Sequence, residues 1–331
     1  MIIEERPEKN QGASWWSDRS KKLLADQKNS WPLLKENYQN LENVIEREFE
    51  FDGFTVRVQS NQARIISSSA DVRAEAIRSR KCFLCRENFP LEQNGLSYNK
   101  QVFILANPYP IFPEHLTISK SKHIPQTIIG NFAEFLEISR ILGKHYTVFY
   151  NGPKCGSSAP DHMHFQAGTK NLIPVEFEFD KMVQRLSRAV VSNGKIEARF
   201  FEDHLRYFIT LESRNKGELL FAFKTFINSF KKISVPHDEP LLNIISSYQE
   251  DIWRVIIFPR GKHRPDQYSL EGSKQLLISP AAVDMGGLFI TPRKEDFEKI
   301  TKDDIVNIYK QVTVTKEYFE YLRKKIGEIF I

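Results

Sequence analysis

Between Gln101 and Gly168 the periodicity keeps changing, and this run constrains the fold more than any other. QVFILA (101–106) is a short apolar strand, NPYPIFPEH a proline-rich break and HLTIS (115–119) a second strand. SKSKHIP leads into a helix over about 126–144, followed by the strand YTVFYN (146–151). After a Gly- and Ser-rich loop, HMHFQAG (162–168) reads as one more strand. Strand, strand, helix, strand, loop, strand predicts an α+β unit with a mainly antiparallel sheet and flanking helices.

The flanks extend this pattern. Trp15, Trp16, Leu23, Leu24, Trp31, Leu34 and Leu41 recur at helical spacing, with a break at Pro32. Residues 47–68 alternate around Asp52-Gly53, which predicts a hairpin and then a third strand. Downstream, RYFITLES (206–213) is a strand and 216–232 a helix. WRVIIFPR, KQLLISP and GGLFITP are strands, and 302–329 is helical. The second half thus repeats the first loosely, as a diverged internal duplication would. The expected division is an N-terminal helical segment (1–45), a chemistry-bearing half (46–170) and a diverged half on the substrate or acceptor side (171–331).

With 331 residues and 41% hydrophobic content, the chain has ample length for a buried core. No apolar run approaches the ~18 residues of a membrane span. The opening MIIEERPEKNQG lacks a secretory pattern, and three cysteines imply no disulfide framework, so a reducing cytoplasm is expected. A net charge of +5 suits anionic small molecules and is too small and dispersed to indicate nucleic acid.

Two constellations carry chemistry. Cys82 and Cys85 form a C-x2-C pair that can grip a tetrahedral metal; buried thiols in a turn are the bland alternative. Further ligands must come from elsewhere, with His115, His123, His145, His162 and His164 as candidates. On an alternating strand His162, His164 and Gln166 share one face, while Met163 and Phe165 share the other. The two histidines can chelate one metal, or divide the work between metal binding and nucleophilic attack. The preceding loop supplies Gly152, Gly156, Ser157 and Ser158, whose backbone N–H groups and hydroxyls suit an anion. A phosphate held there lies beside an imidazole able to attack phosphorus. Several residues have two readings: His263, between Lys262 and Arg264, and Arg64 each read as phosphate contacts or as solvated surface. The glycine pair of SPAAVDMGG (279–287) permits close approach of a substrate or forms a bulge. Cys155 reads as inert, and His145, His204 and His237 as structural.

HMHFQ resembles the H-x-H-x-Q signature of the histidine-triad superfamily's nucleotidyltransferase branch, and NPYPIFPEHLTISKSKHIPQ is similar to that superfamily's strand–loop–strand. The branch includes galactose-1-phosphate uridylyltransferases and the phosphorylases of diadenosine tetraphosphate and of GDP-hexoses. The resemblance is carried mainly by residues 82–168. It implies two fused histidine-triad-like halves. It implies His164 as the nucleophile that carries a nucleotidyl group, and Gln166 as a contact to its phosphate. Asn151, Gly156, Ser157 and Ser158 would bind the nucleotide and its phosphate, and Asn107 would lie near the ribose. Cys82, Cys85, His123 and His162 would hold a closed, structural zinc. Met163 and Phe165 depart from the uridylyltransferase pattern, which has Pro and Gly there. Gln166, in place of a third histidine, favours transfer over hydrolysis. The implied activity is ping-pong phosphorolysis of a GDP-hexose-like nucleotide sugar, with phosphate or a sugar 1-phosphate as acceptor. A diadenosine tetraphosphate phosphorylase and a catalytically silent, zinc-stabilised nucleotide-binding protein are the alternatives. Partners would be small molecules, neither nucleic acid nor membrane, and a homodimer is compatible.

Overall fold

The structure, a computed structural model, describes the chain apart from residues 6, 9–11, 13, 66–71, 203–204, 232–238 and 329–331. Its strands are β1 (Ile2–Ile3), β2 (Ile45–Phe51), β3 (Phe54–Ser60), β4 (Gly95–Tyr98), β5 (Val102–Ala106), β6 (His115–Lys120) and β7 (Tyr146–Asn151). They continue with β8 (His164–Thr169), β9 (Ser187–Ser192), β10 (Ile196–Phe201), β11 (Phe208–Ser213), β12 (Leu242–Gln249), β13 (Ile252–Pro259) and β14 (Leu288–Thr291). Eleven strands form one sheet in the order β1-β4-β5-β6-β8-β7-β12-β13-β11-β10-β9, antiparallel except for the β1–β4 pair. The expected α+β architecture is present.

The order repeats. β4-β5-β6-β8-β7 in the first half matches β9-β10-β11-β13-β12 in the second, and the halves join where β7 pairs with β12. Each half sends a helix across the sheet between its third and fourth strands, Phe132–Leu142 in the first and Lys216–Lys231 in the second. Both helices bury their apolar stripes on the same sheet face, where Phe132 and Phe223 stack with ring centroids 3.7 Å apart. Each fully buried Phe contributes about 1.5–3 kcal/mol there. The other face packs Phe149, Ile245 and Ile256 against the segment 276–312. Candidate chemistry sits on this second face.

Register places the second half's counterpart of His164. Ser119, fifth residue of β6, pairs with His164. Glu212, fifth residue of β11, pairs with Arg254. The position equivalent to His164 is thus an arginine, bonded to Glu212 at 2.7 Å and stacked 3.7 Å above Phe179.

Four expectations change. The hairpin β2–β3 forms, but it pairs in parallel with β14 in a separate three-stranded sheet, outside the main sheet. The third strand after it does not start at Gln62–Arg64, a 3-10 turn; Arg64 donates to the Tyr109 carbonyl at 2.7 Å and Asn61 to that of Pro110 at 3.0 Å, drawing the chain onto the proline-rich loop. The rest of that segment, 66–71, lies outside the described residues, as do His204 and His237. KQLLISP is no strand, because side chains take its backbone groups: Asp296 accepts from Leu277 N–H and Arg260 donates to the Pro280 carbonyl. The C-terminal helix breaks into Lys302–Val312 and Lys316–Gly327, where Thr313 bridges to Arg260 and Thr315 caps the second piece. Among the described residues, no helix is long and apolar enough to cross a membrane.

Candidate active site and metal cluster

His164 opens β8 and is 5% exposed. Its Nδ1 lies 2.8 Å from the His162 carbonyl oxygen, an acceptor only, so Nδ1 carries the proton. Nε2 therefore presents its lone pair, and it has no partner among the described residues. Burial pushes the imidazole pKa down to about 4, so the ring is neutral near pH 7. Gln126 fixes the backbone here. Its side-chain oxygen accepts from His164 N–H at 2.8 Å, and its amide donates to the His164 and Asn151 carbonyls at 3.0 and 2.9 Å. The residue patterns did not single out Gln126, whose only signal was its place at the end of SKSKHIPQ.

Gln166 follows on the same strand face. Buried His115 accepts from Ile111 N–H at Nδ1 and so donates from Nε2 to the Gln166 side-chain oxygen at 2.9 Å. Burial and the nearby Arg64 charge push His115 down to about 3, keeping it neutral. Gln166 is thereby oriented with its NH2 group unpartnered among the described residues. Both ring nitrogens of His115 are thus engaged within the protein.

Gln166, Asn151 and Gly156–Ser158 line one small cleft of about 60 Å³, together with His263, Arg264 and Asp284 from the second half. His164 does not line it directly. The Ser157 hydroxyl is buried without a partner among the described residues, an orphan donor that an anion would satisfy. Gly156 has φ +91°, and a Cβ there would meet the Ala281 Cβ at 2.5 Å. The loop can turn and pack against the second half only without a side chain at this position. Gly156→Ala is expected to cost about 2–4 kcal/mol, read as a lower urea midpoint. An unchanged midpoint would mean the loop does not pack against Ala281.

Asn151 accepts at its side-chain oxygen from Asn243 and from Ala282 N–H, tying the two halves together. Asn107 is placed elsewhere: it accepts from Tyr109 N–H and donates to Thr117, steadying the proline-rich loop, and it does not line the cleft. Cys155 is fully buried and its thiol is pushed up to about 11, in keeping with an inert role.

His162 precedes β8, so strand alternation does not reach it. Its ring turns to the cysteines. Nδ1 lies 3.3 Å from Cys82 Sγ and 3.5 Å from Cys85 Sγ, and His123 Nδ1 lies 3.1 Å from Cys85 Sγ. The four candidate ligand atoms lie within 4.8 Å of one another and could hold a metal ion. Tetrahedral zinc with ordinary Zn–S and Zn–N bonds needs S···N edges of about 3.5 Å, so the donor set fits. The Lys120 carbonyl accepts from His162 Nε2–H at 2.8 Å, which leaves Nδ1 bare for a metal.

The families that match are "Domain of unknown function (DUF4922)" over residues 23–169 and "GDPGP1-like, C-terminal domain" over 211–330. The galactose-1-phosphate uridylyltransferase of Staphylococcus saprophyticus is 24% identical over 255 residues, 70% of this chain and 48% of that protein. The Bacillus subtilis enzyme of the same name is 28% identical over 133 residues, 35% of this chain and 26% of its own length. This chain therefore spans about half the length of the curated relatives it matches, or less. Yeast Ap4A phosphorylase Apa2 in complex with Ap4A superposes with a TM-score of 0.59 at 14% identity, covering 89% of this chain and 97% of that one. The chain resembles the nucleotidyltransferase branch of the histidine-triad superfamily. The complex of yeast Apa2 with AMP superposes with a TM-score of 0.56 at the same identity, covering 87% of this chain and 93% of that one. The histidine-triad-like fold extends over both halves, including the region where sequence resemblance is faint.

Proposed function

We propose that this chain is a nucleotidyltransferase of the phosphorylase type, acting through a covalent nucleotidyl-His164 intermediate. One observation carries the reading: His164 is neutral and tautomer-fixed, with Nε2 unpartnered, two residues from Gln166 on one strand, and Gln166 shares a cleft with the unsatisfied Ser157 hydroxyl. In the first step Nε2 bonds to the α-phosphorus of a nucleotide, and the bond from phosphorus to the bridging oxygen breaks. The sugar 1-phosphate leaves with that electron pair. In the second step an oxygen of phosphate, or of a sugar 1-phosphate, attacks phosphorus and the P–N bond breaks. Ser157, Ser158 and the Gln166 amide donate to the phosphoryl oxygens, and Asn151 shapes the nucleotide wall. Because His164 is nearly covered, the loop 156–158 or the Gln166 side chain must yield slightly as phosphorus arrives.

A GDP-hexose-like nucleotide sugar is the preferred substrate, supported by the match of residues 211–330 to the GDPGP1-like domain and by the uridylyltransferase relatives. A dinucleoside tetraphosphate is the second reading, favoured by the yeast Ap4A phosphorylase fold. Cys82, Cys85, His123 and His162 would hold zinc; with four protein ligands it supplies cross-linking of the chain and no open position for chemistry.

Incubation with candidate nucleotides in the absence of acceptor is expected to add the mass of one nucleoside monophosphate, released again by phosphate. The base in that adduct identifies the substrate. No adduct and no phosphate-dependent turnover with any of these nucleotides would leave a silent binder.

A further inference from the structure

Transfer between two phosphate-bearing groups places a second phosphoryl group next to the one bonded to His164. It is the leaving phosphate in one step and the incoming phosphate in the other. The first-half wall offers Ser157, Ser158 and Gln166, which are neutral donors. Arg64, also on the wall, has its NH1 on the Tyr109 carbonyl and faces the buried carboxylate of Asp284, which offsets its charge. A phosphate dianion needs cationic neutralisation as well as donors.

The second half supplies it. Arg264 lines the cleft, with Nε bonded to Ser279 Oγ at 3.0 Å and its guanidinium 4.0 Å over the Tyr268 ring. Its two terminal nitrogens have no partner among the described residues. His263 lines the same wall, and neither ring nitrogen has a partner among the described residues. Burial, and then the positive charges of Arg264, Arg260 and Lys154, push that ring down to about 4, so His263 serves as a neutral hydrogen-bonding group and Arg264 carries the charge. The loop is held rigid from beneath. Buried Arg260 donates to the carbonyls of Val312, Pro280, Lys262 and His263 and to Asn243 Oδ1, so its donors are used and only its field reaches the cleft.

We propose that Arg264 and His263, with Lys154 beside them, form the seat of this second phosphoryl group. The nucleotidyl phosphate and its neighbour would then be held by different halves of the chain, one by a neutral cradle and one by a cationic wall. The role rests on the transfer reading above. It gives the second half a task although the position equivalent to His164 there is Arg254.

The test uses the isolated wild-type nucleotidyl-protein and its Arg264→Gln and His263→Gln variants. Discharge by inorganic phosphate is followed as loss of adduct mass against phosphate concentration. The concentration giving half-maximal discharge should rise about 10- to 100-fold in Arg264→Gln and less in His263→Gln. Arg264→Lys, which keeps the charge, should recover part of the loss, and melting curves should match wild type. An unchanged phosphate dependence in both glutamine variants would overturn the seat while leaving transfer intact. Should the wild type form no adduct, transfer fails, and the seat is judged by phosphate and pyrophosphate titrated into the free proteins. Heat of binding in the wild type that is lost in Arg264→Gln supports the seat; equal binding in both overturns it.

Discussion

Replacing His164 with alanine is expected to give a folded protein that forms no nucleotidyl adduct and turns over at roughly 10⁻⁴ of the wild-type rate or less. The loss is large because the substitution removes the atom proposed to bond to phosphorus, and no neighbour can take its place. His115 lies on the neighbouring strand, but both its ring nitrogens are engaged, one accepting from Ile111 and one donating to Gln166. The fold should survive because Gln126 grips the backbone of residue 164, not its ring. The local cost is the His162 carbonyl left without its partner, about 1–3 kcal/mol. Intact-mass measurement after incubation with nucleotide, alongside a phosphate-dependent turnover assay, reads both effects. Retained phosphorolysis, or an adduct that moves to another residue, would remove His164 from the mechanism.

The fold and this site were legible in the sequence to different depths. Short-range patterns survived: the hairpin at Asp52-Gly53, the helix after β6 and the strand after the Gly/Ser loop all follow from local periodicity and turn chemistry. Patterns whose backbone bonds are made by distant side chains did not. KQLLISP has a strand's composition, yet Asp296 and Arg260 claim its polar groups, and neither is near it in sequence. The same limit applies to the site. Spacing pointed to His164 and Gln166, whereas the residues that set their tautomer and orientation, Gln126 and His115, act through hydrogen bonds that cross strands and loops. Asp284 enters the cleft because the segment 276–312 folds back over the sheet, and Arg264, in the loop after β13, is tied to that segment through Ser279. The His162–His164 pair shows the limit most clearly. Alternation put both rings on one face, but the strand begins at His164, and a two-residue difference in its start sends His162 to the cysteines.

Cys82→Ser is expected to lower the bound metal from about one equivalent per chain to near zero, as a four-ligand zinc site reduced to three protein donors should. The melting temperature should fall by about 5–10 °C, the consequence of losing roughly 4 kcal/mol of metal-linked stability. The cluster joins three separate pieces of chain: the Cys82–Cys85 turn, His123 after β6 and His162 ahead of β8. Around Cys82 and Cys85 the buried apolar group is small, comprising Leu84 and Ala159, so hydrophobic packing alone holds this turn weakly. Burial pushes both thiols up, so binding zinc must displace their protons, and zinc affinity should weaken as pH falls. The Cys82→Ser effect on chemistry should be indirect: His162 offers its ring to the metal and its carbonyl to His164, so a loosened His162 disturbs the tautomer lock. Adduct formation is therefore expected to slow without being abolished, in contrast to His164→Ala. Metal content by atomic emission, melting with and without chelator, and the rate of adduct formation separate these outcomes. A metal-free wild type that melts at the same temperature as the zinc-loaded protein would overturn the structural role of the cluster and leave the assignment of His164 standing.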